Sequence, residues 1–110
     1  MTYLSPNAII PEAKLTKYLL VRKQKDGKSQ FLAQAGYQLD NWQKLEEDLR
    51  TQILPLEAIL VKQTEWGINY NIIGSLTGPN GVTLKVITGW IVNFNPPETR
   101  FVTLVPNKKA

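Results

Sequence analysis

The sequence contains no cysteine and no histidine, and these two absences exclude more functions than any motif suggests. Zinc fingers, disulfide frameworks, thiol nucleophiles, Ser-His-Asp triads and imidazole bases are ruled out, because each needs one of these residues. Any metal would have to bind through carboxylate and carbonyl oxygens, as Mg²⁺ and Ca²⁺ do. We therefore expect neither a metal site nor a bound cofactor.

Long apolar runs and a basic leader segment are missing as well. No stretch reaches the about 20 apolar residues of a membrane-spanning helix, and the N-terminal segment lacks the features of a signal peptide. Together with the lack of cysteine, this favours a cytoplasmic location and no contact with a membrane. The 13 Lys and Arg residues against 9 Asp and Glu give a net charge of +4. That excess permits contact with nucleic acid without requiring it.

The 110 residues are enough for a single domain with one hydrophobic core. The hydrophobic share of 43% and the charged share of 20% are those of an ordinary globular domain. We expect one domain over 1–110, with an irregular lead-in at 1–10 and a frayed tail at 107–110.

Helical periodicity is confined to the first half of the chain. Pro11 and the apolar spacing after it predict a helix over 11–21. Ser29 is the expected N-cap of a short second helix that stops at Gly36. The clearest helix begins at Asp40, with a capping box completed by Gln43, and ends at Pro55. Its apolar stripe consists of Trp42, Leu45, Leu49 and Ile53.

After Leu56 the apolar period changes from helical spacing to alternation. Strands are predicted at 57–65, 68–77, 82–94 and 100–106, with turns at 78–81 and 95–98. This order predicts an α+β fold in which two to three N-terminal helices pack on one face of a four-stranded antiparallel meander. The face of the third strand expected to meet the helix carrying Trp42 consists of Val82, Leu84, Val86, Trp90, Val92 and Phe94. Gly89 within that strand indicates a bulge or a close approach by another chain or ligand.

Several segments together resemble one small bacterial domain of unknown function. They are PEAKLTKYLL, GKSQFLAQAGY, NWQKLEEDL, YNIIGSLTGPNG, ITGWIVN and RFVTLVP, which span roughly Ile10 to Pro106. The resemblance implies a family that occurs as stand-alone proteins, often cyanobacterial, and at the C-terminal tips of secreted polymorphic toxins. Such tips are often nucleases, although the family itself implies no activity. The element order is also similar to that of the barnase–EndoU–colicin–RelE group of endoribonucleases, a likeness of fold alone.

Metal-independent RNA cleavage requires a base, an acid and a cation that stabilises the phosphorane. Without histidine these roles would fall to other side chains, and the candidates are Lys14, Tyr70, Arg100 and Thr103. Three of the four have an ordinary structural explanation as well: a solvated cation for Lys14, and core packing for Tyr70 and Thr103. The most basic run holds Arg22, Lys23, Lys25 and Lys28, which would either follow a phosphate backbone or form a solvated loop.

Trp66 falls in the turn between the first two predicted strands, and an exposed Trp there indicates a contact surface. The lack of histidine and this Trp favour a non-catalytic interaction module, immunity-like or scaffold-like, that binds another protein or a second copy of itself. The alternative is a toxin-like metal-independent endoribonuclease, active or decayed, that acts on RNA. A small-molecule carrier stays open as a third class. Whether the chain is an enzyme is therefore undecided by the sequence.

Overall fold

The structure is a computed structural model that describes residues 1–21 and 27–108. In the described part of its first half there are three short α-helices, of which two continue as π-helical turns. The bounds are α1 Glu12–Lys14 with the π-helical turn Leu15–Leu19, α2 Lys28–Ala33, the 3₁₀ turn Leu39–Asn41, and α3 Trp42–Asp48 with the π-helical turn Leu49–Ile53. In these π-helical turns the backbone bonds span five residues, as from the Leu20 N–H to the Leu15 carbonyl oxygen at 2.9 Å.

The second half of the chain forms an antiparallel sheet with the strand order β1-β2-β3-β4. The strands are β1 Ile59–Gln63, β2 Gly67–Thr77, β3 Thr83–Phe94 and β4 Pro97–Pro106. Each strand pairs with the next one in the sequence because only short turns separate them. The helices pack against one face of this sheet, which confirms the predicted α+β class and the four-stranded meander.

Several boundaries differ from those predicted. β1 is shorter than 57–65, and β4 begins at Pro97 because the preceding turn is tight enough for Phe94 to pair with Pro97. α2 begins one residue before Ser29, so Ser29 is not its N-cap. Gly27 takes that position with a φ of 62°, a left-handed conformation that glycine adopts at little cost.

The capping box at the start of the third helical segment is shifted from the predicted one. It is formed by Gln38 and Asn41 instead of Asp40 and Gln43. The backbone N–H of Gln38 donates to Asn41 Oδ1 at 2.7 Å. The box therefore stabilises the 3₁₀ turn that leads into α3, because its hydrogen bonds join the residues at the two ends of that turn.

The lead-in over 1–10 is irregular but attached to the sheet. Ile9 forms a short parallel bridge with β4, in which its N–H donates to the Thr99 carbonyl at 2.7 Å and its carbonyl accepts from the Phe101 N–H at 2.8 Å. These bonds cover part of the outer edge of β4. At the other end, the last two residues of the tail predicted as frayed lie outside the described residues.

One hydrophobic core lies between the helices and the inner face of the sheet. The predicted stripe is completely buried at Leu45, Leu49 and Ile53, and Trp42 is partly buried at its edge. On the sheet, Val86 is completely buried and Val92 packs partly buried against the same core. The helix that carries Trp42 therefore covers the apolar face of the sheet, as predicted.

The inner row of β3 differs from the predicted apolar series in three places. Val82 and Phe94 are exposed, because Val82 precedes the strand and Phe94 ends it. Thr88 is completely buried between them, and its hydroxyl donates to the Ile72 carbonyl at 3.1 Å while accepting from Trp90 Nε1 at 2.8 Å. Trp90 is only 1% exposed, so it is a core residue and not a platform for stacking bases.

A buried carboxylate is held between the helices and the end of β2. Asp48 is 3% exposed, and its Oδ2 accepts a hydrogen bond of 2.6 Å from the Tyr37 hydroxyl. Its Oδ1 lies 3.3 Å from Lys44 Nζ. These partners are needed because an unpaired buried charge is costly. Burial, followed by the hydrogen bond to Asp48 and its charge, raises the pKa of Tyr37 well above its ordinary value.

Substitution of Tyr37 by Phe should lower the free energy of unfolding by about 1–3 kcal/mol, because Asp48 loses a buried hydrogen-bond donor. Urea denaturation of the wild type and of Tyr37→Phe at neutral pH measures this difference. The exposed Tyr3→Phe substitution is the matched control and should change the stability by no more than about 0.5 kcal/mol.

The same pair predicts a dependence on alkaline pH. Because the pKa of Tyr37 is higher in the folded chain, the unfolded chain releases this proton first as the pH rises above about 10. The stability due to Tyr37 is therefore present below that pH and lost above it. The difference in unfolding free energy between wild type and Tyr37→Phe should shrink as the pH passes 10.0, the ordinary pKa of tyrosine. A constant difference up to pH about 11 would contradict the assignment.

Candidate functional site

Polar side chains from three distant parts of the chain meet beside β4. The Tyr18 hydroxyl, from the π-helical turn after α1, lies 3.1 Å from Thr103 Oγ1 on β4. Lys28, the first residue of α2, donates from Nζ to the Tyr18 hydroxyl, and also to Thr103 Oγ1 at 3.4 Å. We call these residues the Lys28–Tyr18–Thr103 cluster. All three side chains are partly buried, so their hydrogen bonds are stronger than they would be in open water.

Two ammonium groups lie close to the same phenol ring in this cluster. Lys28 Nζ is 4.5 Å and Lys14 Nζ is 5.7 Å from the centre of the Tyr18 ring. Lys14 and Tyr18 are four residues apart, which brings them to the same side of the helical segment. The negative face of the ring attracts both cations. Positive charge is thereby concentrated next to two hydroxyl groups, an arrangement that suits an anionic ligand.

A cavity of about 190 Å³ opens on the outer face of the sheet, the face opposite the helices, next to this cluster. Gly89 lies at its centre, paired with Asn71 on β2 and with Thr103 on β4. Paired residues project from the same face of a sheet. We call this cavity the sheet-face slot; the outer-face residues that line it are Val61, Asn69, Asn71, Gly89, Val102 and Thr103.

The slot exists because Gly89 has no side chain. A Cβ atom at this position would lie 3.3 Å from Thr103 Cγ2 and 3.9 Å from Asn71 Oδ1, so any larger side chain would occupy the space. The pairing of β3 with β4 also shifts register just after Gly89. Both readings of this glycine, a bulge and a place where another group can approach closely, are therefore consistent with the structure.

Two β-bulges flank the slot, one in each outer strand of the sheet. In β1 the register shift leaves Val61 as the extra residue, and in β4 the shift leaves Val102 as the extra residue. Both valines line the slot. Bulges bend a strand and redirect its side chains, and they are frequent next to functional sites. The slot is therefore shaped by two features of the sheet. One is the bulged backbone of the two edge strands, β1 and β4, and the other is the missing side chain at Gly89.

The structure brings together some of the candidate residues and separates others. Thr103 is in the cluster, and Lys14 lies beside it through the Tyr18 ring. Tyr70 borders the slot but packs against the core on the helix-covered face. Arg100 Nη1 is held 2.6 Å from Glu98 Oε1, apart from the cluster. The catalytic roles considered for these residues stay predictions.

Of the basic residues considered as nucleic-acid contacts, the structure describes only one. Lys28 belongs to the cluster, whereas Arg22, Lys23 and Lys25 lie outside the described residues. Trp66 is 75% exposed, as expected for a turn between strands. Tyr18 was not a candidate, although its spacing of four residues from Lys14 was visible. Its contact with Thr103, 85 positions away, left no signal in the sequence.

Two larger cavities lie elsewhere on the surface. One, of about 450 Å³, is between the lead-in and the start of β4 and includes Asn7 and Thr99. The other, of about 380 Å³, is bordered by Trp66, Phe94 and Glu98 at the opposite end of the sheet from the 78–81 turn. The sheet-face slot is smaller, but it adjoins a group of cations and hydroxyls. That chemistry, more than volume, makes it the better candidate for a reaction.

Two further properties concern metals and membranes. Within 1–21 and 27–108, no three acidic side chains come together as a possible metal site. None of the helices in the described part of the chain is both long and apolar enough to cross a bilayer.

The fold and the slot define a small α+β protein whose open sheet face carries a depression the size of a small ligand. Residues 5–108 match the family described as a domain of unknown function, DUF6883, and the chain belongs to this family. No curated protein and no solved structure matches the chain significantly. Membership confirms the resemblance to a domain family of unknown function. The association with toxins and the likeness to endoribonucleases stay predictions.

Substitution of Thr103 by Val tests whether the cluster can be altered without loss of the fold. The change keeps the shape and removes the hydroxyl that contacts Tyr18 and Lys28. The free energy of unfolding should fall by about 0.5–1.5 kcal/mol, the usual net contribution of such a bond. Urea denaturation measures it. A loss above about 3 kcal/mol would show instead that the fold itself depends on the cluster.

Proposed function

We propose that this domain is a toxin-like, metal-independent endoribonuclease that cleaves RNA in the bacterial cytoplasm. The observation that supports this most directly is the Lys28–Tyr18–Thr103 cluster at the margin of the sheet-face slot. It combines a cation with hydroxyl groups, which are the kinds of groups that such cleavage needs when histidine is absent.

The reaction transfers the phosphoryl group of the RNA backbone from the 5′ oxygen of one nucleotide to the 2′ oxygen of the nucleotide before it. The ribose 2′ oxygen attacks the adjacent phosphorus, and the bond from phosphorus to the 5′ oxygen of the next nucleotide breaks. The 2′ hydroxyl loses a proton and the departing 5′ oxygen gains one. The products are a 2′,3′-cyclic phosphate and a free 5′ hydroxyl, with no oxidant, reductant or metal consumed.

The cluster offers a group for two of these tasks. The Lys28 ammonium would bind the non-bridging phosphate oxygens and stabilise the charge that grows on them. The Tyr18 hydroxyl would donate its proton to the departing 5′ oxygen, while Thr103, 3.1 Å away, orients it. The 2′ proton would pass to water or hydroxide, and solvent would return a proton to Tyr18. Lys14 would add positive charge from across the phenol ring.

This assignment changes the roles considered from the sequence. Arg100 has no role in it, because its guanidinium is already paired with Glu98. Tyr70 has none either, since its side chain packs on the helix-covered face. The basic run that precedes Lys28 keeps its proposed role as a contact for the RNA backbone, which would make binding weaken as the salt concentration rises.

Loss of the Tyr18 hydroxyl or of the Lys28 charge should abolish most of the cleavage. Tyr18→Phe and Lys28→Gln should each reduce the rate by about 100-fold or more, the usual contribution of a positioned proton donor or charge. The assay follows end-labelled RNA and total tRNA in the presence of EDTA and identifies 2′,3′-cyclic phosphate ends.

Lys17→Gln is the matched control, because Lys17 is exposed and the substitution removes the same charge. It should retain the rate of the wild type. Activity of Tyr18→Phe equal to that of the wild type would reject the proposed role of Tyr18. A wild-type chain that cleaves no RNA would reject the active enzyme.

A second candidate function is a non-catalytic interaction module, immunity-like or scaffold-like, and the surroundings of Trp66 favour it. Trp66 is 75% exposed, and it borders a cavity of about 380 Å³ together with Phe94, Pro96 and the Glu65 carboxylate. Glu98 also borders this cavity, but its carboxylate is paired with Arg100. Aromatic faces next to carboxylates attract cations. The matching occupant would be a Lys or Arg side chain on a partner protein, with Trp66 as the main contact.

A peptide of alternating Lys and Ala tests this surface. It should bind the wild type and bind Trp66→Ala about tenfold more weakly, since a cation–π contact contributes up to about 2 kcal/mol. Calorimetric titration measures both affinities, with Trp66→Phe as the control that keeps an aromatic face. An alternating Glu and Ala peptide that binds equally well would contradict the proposal. Sedimentation of the wild type shows in addition whether a second copy is the partner.

A further inference from the structure

We propose that the sheet-face slot is the binding site for one nucleobase of the RNA chain, the base attached to the ribose whose 2′ oxygen attacks. This rests on the proposed endoribonuclease function and adds to it a source of sequence preference. The argument follows from the shape of the slot, from its polar groups and from its connection to the Lys28–Tyr18–Thr103 cluster.

The shape of the slot suits a flat ring. Its centre is Gly89, which presents only backbone. Val61 and Val102 lie on opposite sides, because they belong to the two outer strands of the sheet. An apolar side chain on each side of an open floor can contact the opposite edges of a planar group that lies over the floor. A volume of about 190 Å³ leaves room for a single base.

The polar groups of the slot are neutral amides. Asn69 and Asn71 are two positions apart on β2 and both line the slot. Asn71 Oδ1 lies 3.9 Å from the position that a Cβ of Gly89 would take, so it is directed over the floor. Each amide presents a donor and an acceptor side by side. Such a pair matches the adjacent donor and acceptor on the edge of a base, which is how Asn recognises bases elsewhere.

These amides are available to a ligand. Among the described residues, neither the Asn69 nor the Asn71 side chain takes part in a hydrogen bond within the chain. Other amides in the protein are used internally, such as that of Gln52, which binds the backbone of Thr77. The two slot amides therefore have no structural task in the described part of the molecule.

Thr103 connects the slot with the cations. Its side chain lines the slot, and its hydroxyl contacts Tyr18 and Lys28. A nucleotide has the same layout, since one ribose joins a planar neutral base to an anionic phosphate. A base over Gly89 would therefore bring its 3′ phosphate toward the Lys28 ammonium. A free small anion would contact only the cations of the cluster, and an apolar ligand would contact only the slot, whereas a nucleotide would contact both.

The test uses variants that fill the slot or remove its amides. Gly89→Val places a side chain over the floor in a residue type that strands favour, and Asn71→Leu removes one amide at similar volume. Ile73→Val, on the same face of β2 but outside the slot, is the control. Thermal melting of each variant checks that it is folded.

Binding is measured without cleavage, with a short uncleavable RNA in which the attacking 2′ hydroxyl is replaced by hydrogen. Gly89→Val and Asn71→Leu should bind it about tenfold more weakly than the wild type, the lower range for a bidentate base contact. The same strand with an abasic position at that nucleotide should bind the wild type about tenfold more weakly and Gly89→Val with no further loss. Ile73→Val should bind both strands as the wild type does.

Cleavage of a randomised RNA pool provides the second measurement. The wild type should prefer certain bases 5′ to the cut, and Asn71→Leu should lose that preference while Tyr18→Phe loses the rate. Base-dependent binding without any cleavage would support the slot and reject the nuclease. Cleavage with no base preference, together with equal binding of the abasic strand, would overturn the base site and leave the nuclease standing.

Discussion

The contact on which the rest of the structure depends is the packing of the α3 stripe against the inner face of the sheet. Leu45, Leu49 and Ile53 are completely buried there, and Val86, Thr88 and Trp90 of β3 are buried against the same core. Burial of these side chains is the main favourable term for a chain of this length. Because all described helices lie toward one face, the outer face remains open along its centre. That asymmetry gives the protein a surface on which a ligand can bind without disturbing the core.

The open face is shaped by local departures from a regular sheet. Gly89 removes a side chain from its centre, and the bulges at Val61 and Val102 bend the two strands on either side. The N-terminal segments add a cation and a phenol hydroxyl, since Tyr18 and Lys28 reach β4 and contact Thr103 from beyond the edge of the sheet. The candidate site thus combines a neutral depression supplied by the strands with cations supplied by the helices. A nucleotide, neutral at the base and anionic at the phosphate, has the same two parts.

The regular elements could be predicted because they follow from local patterns. The alternation of apolar residues predicted the positions of the strands, and the spacing of Leu45, Leu49 and Ile53 predicted the buried side of α3. Two positions of β3 depart from the predicted buried row: Thr88 was left out of that row, and Phe94 was wrongly included in it. Thr88 is buried in an apolar row because its hydroxyl finds the Ile72 carbonyl and the Trp90 indole, and Phe94 is exposed because the strand ends there. Both predicted caps lie two residues further along the chain than the observed ones, since Gly27 caps α2 in place of Ser29 and the capping box begins at Gln38 in place of Asp40.

By itself, the sequence determined the fold class, most of the buried row of β3 and the range of chemistry open to a chain without histidine or cysteine. It also singled out Lys14, Lys28 and Thr103, although as separate residues. Only the tertiary structure decided that these three gather around Tyr18, that Arg100 is paired with Glu98 and that Gly89 lies at the bottom of a slot. The physical reason is that hydrophobic periodicity reports on neighbours along the chain, whereas the cluster joins residues 75 and 85 positions apart. Such contacts arise from the way the elements pack, and no short segment of the sequence encodes them.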